Sequence, residues 1–248
     1  MGLQPVGRIT KMSLGALLAS GVVACAVAAQ SDSDRAAFNA IMLSPMGALA
    51  PLARDPIDDN ARQANVWIRY GRWRYDVDDA IHNNVGLTVS RPIPFPLPST
   101  ELSLTGAYVS LSCSMCPSWI SAGASLSSML WQQGEIDERW SSLGVRADIG
   151  GAHYRGSSQT DAGSFATAVV AGVGVPLILN WHLSATMSPG IGQGRIALAD
   201  GVHSGIRRTL GGALALIHAS GLALNVGIQK IMIAGGPTEV GAGLGWNR

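Results

Sequence analysis

From residue 66 onward, apolar and polar residues alternate in segments of about ten to fifteen residues divided by turn signals. The last segment shows it plainly: Val240, Ala242, Leu244 and Trp246 alternate with Gly241, Gly243, Gly245 and Asn247. Leu143, Val145, Ala147 and Ile149 likewise oppose Gly144, Arg146, Asp148 and Gly150, and Leu222, Leu224, Val226 and Ile228 oppose Ala223, Asn225, Gly227 and Gln229. Leu183, Ala185, Met187 and Ile191 stand against His182, Ser184, Thr186, Ser188 and Gly190, and Ile120, Ala122, Ala124 and Leu126 against Ser121, Gly123, Ser125 and Ser127. A period of two puts successive side chains on opposite faces of a strand. The segments are 66–75, 84–95, 100–112, 119–131, 140–154, 164–175, 181–195, 206–219, 222–233 and 239–247. They make about ten strands, with eight or twelve left open.

The composition of the two faces says which is outside. The polar set is mostly Gly, Ser, Thr and Asn, where a water-facing exterior carries Lys and Glu. This inverts a soluble barrel, whose interior is its most apolar part. The expected fold is an all-β, antiparallel, up-and-down transmembrane β-barrel. Connections at 76–83, 113–118, 155–163, 198–205 and 234–237 then lie on one side. Those at 96–99, 132–138, 176–180 and 220–221 lie on the other, and all but 132–138 are tight. Segments 164–187 and 210–229 carry no formal charge and are long enough for membrane helices. Gly172, Gly174, Pro176, Asn180 and His182 argue instead for a hairpin in the first of them.

Residues 1–29 read as an export signal, with basic Arg8 and Lys11, an uncharged apolar stretch at 13–24 and cleavage expected after Ala29. Val22, Val23, Ala24 and Cys25 also resemble a lipobox, which would make Cys25 a lipidated N-terminus. Residues 30–65 lack alternation and are expected to form a mobile periplasmic leader, or a plug through the apolar stretch 41–52. Residues 66–248 form the barrel domain. Charged residues are only 13% of the chain and the formal net charge is +1, so no basic field exists to attract nucleic acid. Its 31 glycines suit strands whose inner face packs tightly.

Several residues are candidates for chemistry. Cys113 and Cys116 would close a small disulfide in an oxidising compartment, the competing readings being a redox pair or half a zinc site. Arg146 and Asp148 would share the lumen as a charge pair. Trp67, Trp73, Trp119, Trp131, Trp140, Trp181 and Trp246 fall near segment ends and would form interfacial girdles. Arg69, Arg72 and Arg74 would meet phosphates of lipopolysaccharide if outward. If inward, they would pair with Asp76, Asp78 or Asp79, or set anion preference in a pore. His82, His153 and His203 would approach Ser157, Ser158, Asp161 and Asp200 at the rim, the arrangement a rim enzyme would need, but no ordered nucleophile motif is present. His182 and His218 complete the five histidines. No P-loop, dinucleotide or zinc-protease motif occurs, and Gly190, Gly192 and Gly194 lie inside an alternating segment without a following helix. No cofactor is expected.

The signal, the repeated alternation and the ending Gly241-Ala242-Gly243-Leu244-Gly245-Trp246 together resemble the small bacterial outer-membrane β-barrel proteins over about 66–248. The chain departs from that pattern by ending in Asn247-Arg248 after the aromatic. The resemblance implies an outer-membrane location after export, and lipid, lipopolysaccharide and the barrel-assembly machinery as partners. It also implies a structural or surface-interacting role with at most limited passage of small solutes, since about ten strands enclose little space. Two alternatives stand beside it: a barrel enzyme acting on lipid A or peptides, and an exported soluble β-barrel binding a small apolar ligand.

Overall fold

A computed structural model describes residues 65–74, 81–97, 99–111, 118–134, 139–154, 160–198, 201–232 and 238–247. The expected signal, the Cys25 lipobox, the leader or plug at 30–65 apart from Asn65, which opens the first strand, and Cys113 and Cys116 all lie outside them. The described residues form ten strands: β1 (Asn65–Arg74), β2 (Ile81–Pro92), β3 (Thr100–Leu111), β4 (Trp119–Gln133), β5 (Trp140–Tyr154), β6 (Thr160–Pro176), β7 (Trp181–Leu198), β8 (Gly201–His218), β9 (Leu222–Ile231) and β10 (Thr238–Asn247). Each pairs antiparallel with its sequence neighbour, and β1 also pairs with β10, so the sheet closes without an edge. Segments 164–187 and 210–229 belong to these strands and their turns. Among the described residues no helix is long and apolar enough to cross a membrane.

The alternation read from the sequence is the alternation of burial. In β10 Glu239, Gly241 and Gly245 are buried within the barrel, while Val240, Ala242, Leu244 and Trp246 are exposed on its outside. The outward set elsewhere includes Ile68, Val85, Leu87, Leu104, Ile149, Phe165, Val173, Leu214 and Val226, all exposed. Arg69, Glu101, Arg146, Asp148, Asn225, Gln229 and Glu239 are buried inside. An exterior of large apolar side chains around a polar core is the pattern of a barrel solvated by lipid.

The two rims differ. At the lower rim, where β1 starts and β10 ends, the described turns are short and hold every described residue with a left-handed φ: Ser99, Gly134, Leu179, Asn180 and Gly221. Gly221 donates its N–H to the His218 carbonyl at 2.8 Å, and Ile93 N–H bonds Thr100 O across residues 93–99. That turn is longer than the expected 96–99, because β2 stops at Pro92. A register shift between Met129 and Trp131 interrupts β4, which then pairs on to Gln133, so part of the expected 132–138 connection is strand; residues 135–138 are outside the described set.

At the upper rim several expected loops are strand instead. Residues 201–205 continue the β7–β8 ladder to the pair Leu198↔Gly201, Thr160 pairs with Tyr154, and β2 begins at Ile81. Along the upper β7–β8 hairpin the hydrogen bonds continue while the outward residues become mixed, Gln193, Arg195 and Ser204 beside Val202 and Ile206, so the hydropathy signal weakens there. The wall is therefore uneven: β6, β7 and β8 have 17, 18 and 18 residues, whereas β9, β10 and β1 have 10 each. β8 continues from Arg208 up to Gly201 beyond its last pair with β9, Thr209↔Ile231.

Candidate functional site: the lumen and the upper rim

Near the lower rim the lumen wall carries a small apolar cluster. Trp67 points inward, 2% exposed, and clusters with Ala215, Ile217 and Ala223. It lies directly opposite Gly245 across the β1–β10 seam. A methyl group built on Gly245 would fall inside the Trp67 indole, so the glycine is the space the ring occupies. The device recurs: Trp140, 4% exposed, pairs with Gly174 across β5–β6, and a methyl there would fall inside the Trp140 indole.

These positions correct the expected girdles. Trp67 and Trp140 fill the interior, while Trp131 and Trp246 stand outward, 50% and 49% exposed. Trp181 packs its ring on His218 with centroids 4.8 Å apart. Parity alone separates the inward pair, since Trp67 shares the face of Arg69 and Trp140 that of Gly144, Arg146 and Asp148; the glycine opposite each, which makes the room, is visible only when register is known.

Polar contacts line the inner face between buried apolar residues such as Val109 and Ile231. Arg146 Nε donates to Asp148 Oδ2 at 2.8 Å; both side chains are buried and lie two residues apart on the inner face of β5. Glu101 joins it from β3, where it accepts from Ser103 Oγ at 3.3 Å. On the seam side Asn84 Nδ2 donates to Glu239 Oε1 at 3.0 Å, joining β2 to β10 around the inside of β1. Arg69 is buried in the row Asn225, Gly243, Arg69, Gly86. Thr88 and Thr105 share a hydrogen bond at 2.9 Å, as do Ser90 and Ser103. The β7 glycines Gly190, Gly192 and Gly194 face inward. At Gly190 a methyl would come within 2.8 Å of the Thr167 carbonyl and 2.9 Å of Thr209 Oγ1, so this glycine serves close packing.

The three arginines expected to act together are divided by the pleat. Arg69 is inside, whereas Arg72 and Arg74 are exposed outside. The histidines are dispersed. His153 is exposed on the outward face of β5, His182 and His218 belong to the lower rim, and His218 Nδ1 lies 2.8 Å from Ser220 Oγ. The side chains of His82, His203 and Asp161 are not among those described, and Ser157, Ser158 and Asp200 lie outside the described residues. Among the described residues no group of three His, Cys, Asp or Glu side chains is placed to hold a metal ion.

No family model matches the sequence, and no curated protein matches it. Solved structures do resemble the fold. The β domain of the Bordetella autotransporter BrkA superposes with a TM-score of 0.42 at 10% identity, covering 76% of this chain and 100% of that one. Neisserial surface protein A gives 0.36 at 13% identity, over 75% of this chain and 96% of that one. Outer membrane phospholipase A from Escherichia coli gives 0.29 at 13% identity, over 74% and 96%. The identities and TM-scores are low, and the assignment as a closed antiparallel barrel rests on this chain's own ladder, β1 to β10 and back to β1.

Proposed function

We propose that this chain is an integral outer-membrane β-barrel whose role is structural or surface-interacting, without catalysis of its own. The observation that carries the reading is the inversion of polarity: exposed Ile68, Leu87, Leu104, Ile149, Phe165 and Val226 cover the outside, and five charged side chains are buried inside. In water such an exterior would be a very large apolar patch; in lipid it is solvated. A scaffold is favoured over a general pore because about ten strands enclose little space, and inward Trp67, Trp140, Arg69 and the Arg146–Asp148 pair occupy part of it. The experiment is carbonate extraction of the outer-membrane fraction followed by electrophoresis with and without boiling. Retention in the membrane and a mobility change on heating are expected. Release by carbonate, or identical mobility before and after boiling, would overturn the proposal.

A further inference from the structure

Charge on the outside of this barrel is sorted by sign and by place. Among the described side chains all three carboxylates, Glu101, Asp148 and Glu239, point inward. Outward cations near the upper rim are Arg72 and Arg74 on β1, Arg195 on β7, Arg208 on β8 and Lys230 on β9. None with a described side chain stands outward near the upper ends of β2 to β6.

Register brings these cations together. Lys230 pairs with Thr238, and Thr238 with Arg74, so Lys230 and Arg74 share one row two strands apart. Lys230 also pairs with Leu210, which puts Arg208 at the adjoining diagonal position, and Met232 N–H bonds the Arg208 carbonyl. Arg72 follows Arg74 on the same face. From β8 to β1 is three inter-strand steps, so the group is about 14 Å across. Apolar wall lies directly beneath: Leu210, Ile228, Val240 and Tyr70 are exposed on the same strands.

The uneven wall gives this group its shape. Lys230 and Arg74 stand at the ends of short strands, while β7 and β8 rise past them and carry Arg208 and Arg195 on the same outer surface. A headgroup resting at the boundary of lipid and water would meet cations beneath it and on the rising hairpin beside it. The guanidinium and ammonium groups of Arg72, Arg208 and Lys230 over an apolar wall, with no outward carboxylate among the described side chains, match a lipid with an anionic head and acyl tails. We propose that the outer face of β8, β9, β10 and β1 binds one phosphorylated lipid headgroup, held by Arg72, Arg208 and Lys230 with its acyl chains against Leu210, Ile228 and Val240. The site rests on the barrel being embedded in a membrane.

The test uses the full chain folded in neutral detergent, with native mass spectrometry of bound diphosphorylated lipid A. Mobility on heating is recorded for every variant, so loss of the barrel is seen separately from loss of the site. The R72Q/R208Q/K230Q protein should bind about tenfold more weakly, the scale expected for losing several partly exposed charge-assisted contacts. R91Q/R139Q, on exposed cations at the lower rim, should bind as the parent does. R72K/R208K, which keeps the charge, should retain most binding and covers the case in which the triple variant fails to fold. Dephosphorylated lipid A should bind the parent as weakly as the phosphorylated lipid binds the triple variant. Equal binding by triple variant and parent, or equal loss in R91Q/R139Q, would overturn the site. Full displacement of the lipid by millimolar inorganic phosphate would overturn the lipid assignment, since the acyl chains would then contribute nothing.

Discussion

Replacing Gly245 by alanine should destabilise the barrel although alanine is the smallest change available. The glycine has no left-handed φ, so its backbone accepts a side chain and the penalty comes from space alone. A methyl group there would fall inside the Trp67 indole, which is fixed by Ala215, Ile217 and Ala223. Overpacking of this kind costs about 1–3 kcal/mol. Gly106 is the control, because it faces outward with nothing within 4 Å of an added methyl. Gly106→Ala should be neutral or stabilise by about 0.4–1 kcal/mol through the unfolded chain. The two substitutions are thus expected to differ by about 2 kcal/mol or more. Urea unfolding of the protein in lipid vesicles, followed by far-ultraviolet circular dichroism, measures the difference without relying on tryptophan fluorescence. The mechanism adds a second requirement. Trp67→Ala alone should cost about 3–5 kcal/mol, yet combined with Gly245→Ala the total should fall short of the sum by about 0.5–3 kcal/mol. If Gly245→Ala and Gly106→Ala give the same stability, or the double variant is simply additive, the indole does not need the empty position and the reasoning fails.

The Arg146–Asp148 pair yields a contrast: Arg146→Met should cost about 3–5 kcal/mol by leaving Asp148 buried alone, whereas R146M/D148L should recover most of it. Equal urea midpoints for the two variants would contradict that. In planar bilayers the parent protein should show no resolvable steady conductance, and Trp67→Ala should introduce one; a parent that conducts steadily would mean the apolar layer does not seal the lumen. Trp246 lies on the lipid face of β10, so Trp246→Ala should slow folding into vesicles several-fold while changing final stability by only about 1 kcal/mol, less than a fully buried tryptophan would. Refolding time courses on heat-sensitive gels would decide it, and unchanged rates would remove Trp246 from the insertion step.

Strand number and the sorting of faces were legible because they depend on a period of two, which needs no knowledge of partners. Leu143, Val145 and Ile149 against Arg146 and Asp148 could be read directly, and so could the glycine face of β10. What depends on neighbours could not. Parity puts Trp67 and Trp140 on the inner face, but the Gly245 and Gly174 that make room for their indoles are found only from the register. Arg69 parts from Arg72 by an odd number of residues, which fixes opposite faces, but only register joins Arg72 to Lys230 and Arg208. The upper ends of β6, β7 and β8 look like loops in the sequence because pairing continues there while the outward residues mix polar with apolar, as Ser204 stands between Val202 and Ile206.

The Trp67–Gly245 contact falls on the one ladder that joins the beginning of the barrel to its end. A slip of one residue along this joint would turn the apolar face of β10 inward. A slip of two would offer Trp67 to Gly243, where the Asn225 amide already stands over the backbone. Only the native alignment leaves a vacancy the indole can enter. Because Trp67 is also the largest member of the apolar cluster, a wrongly joined barrel would lose that cluster, and its presence becomes the sign that the circle has met itself correctly.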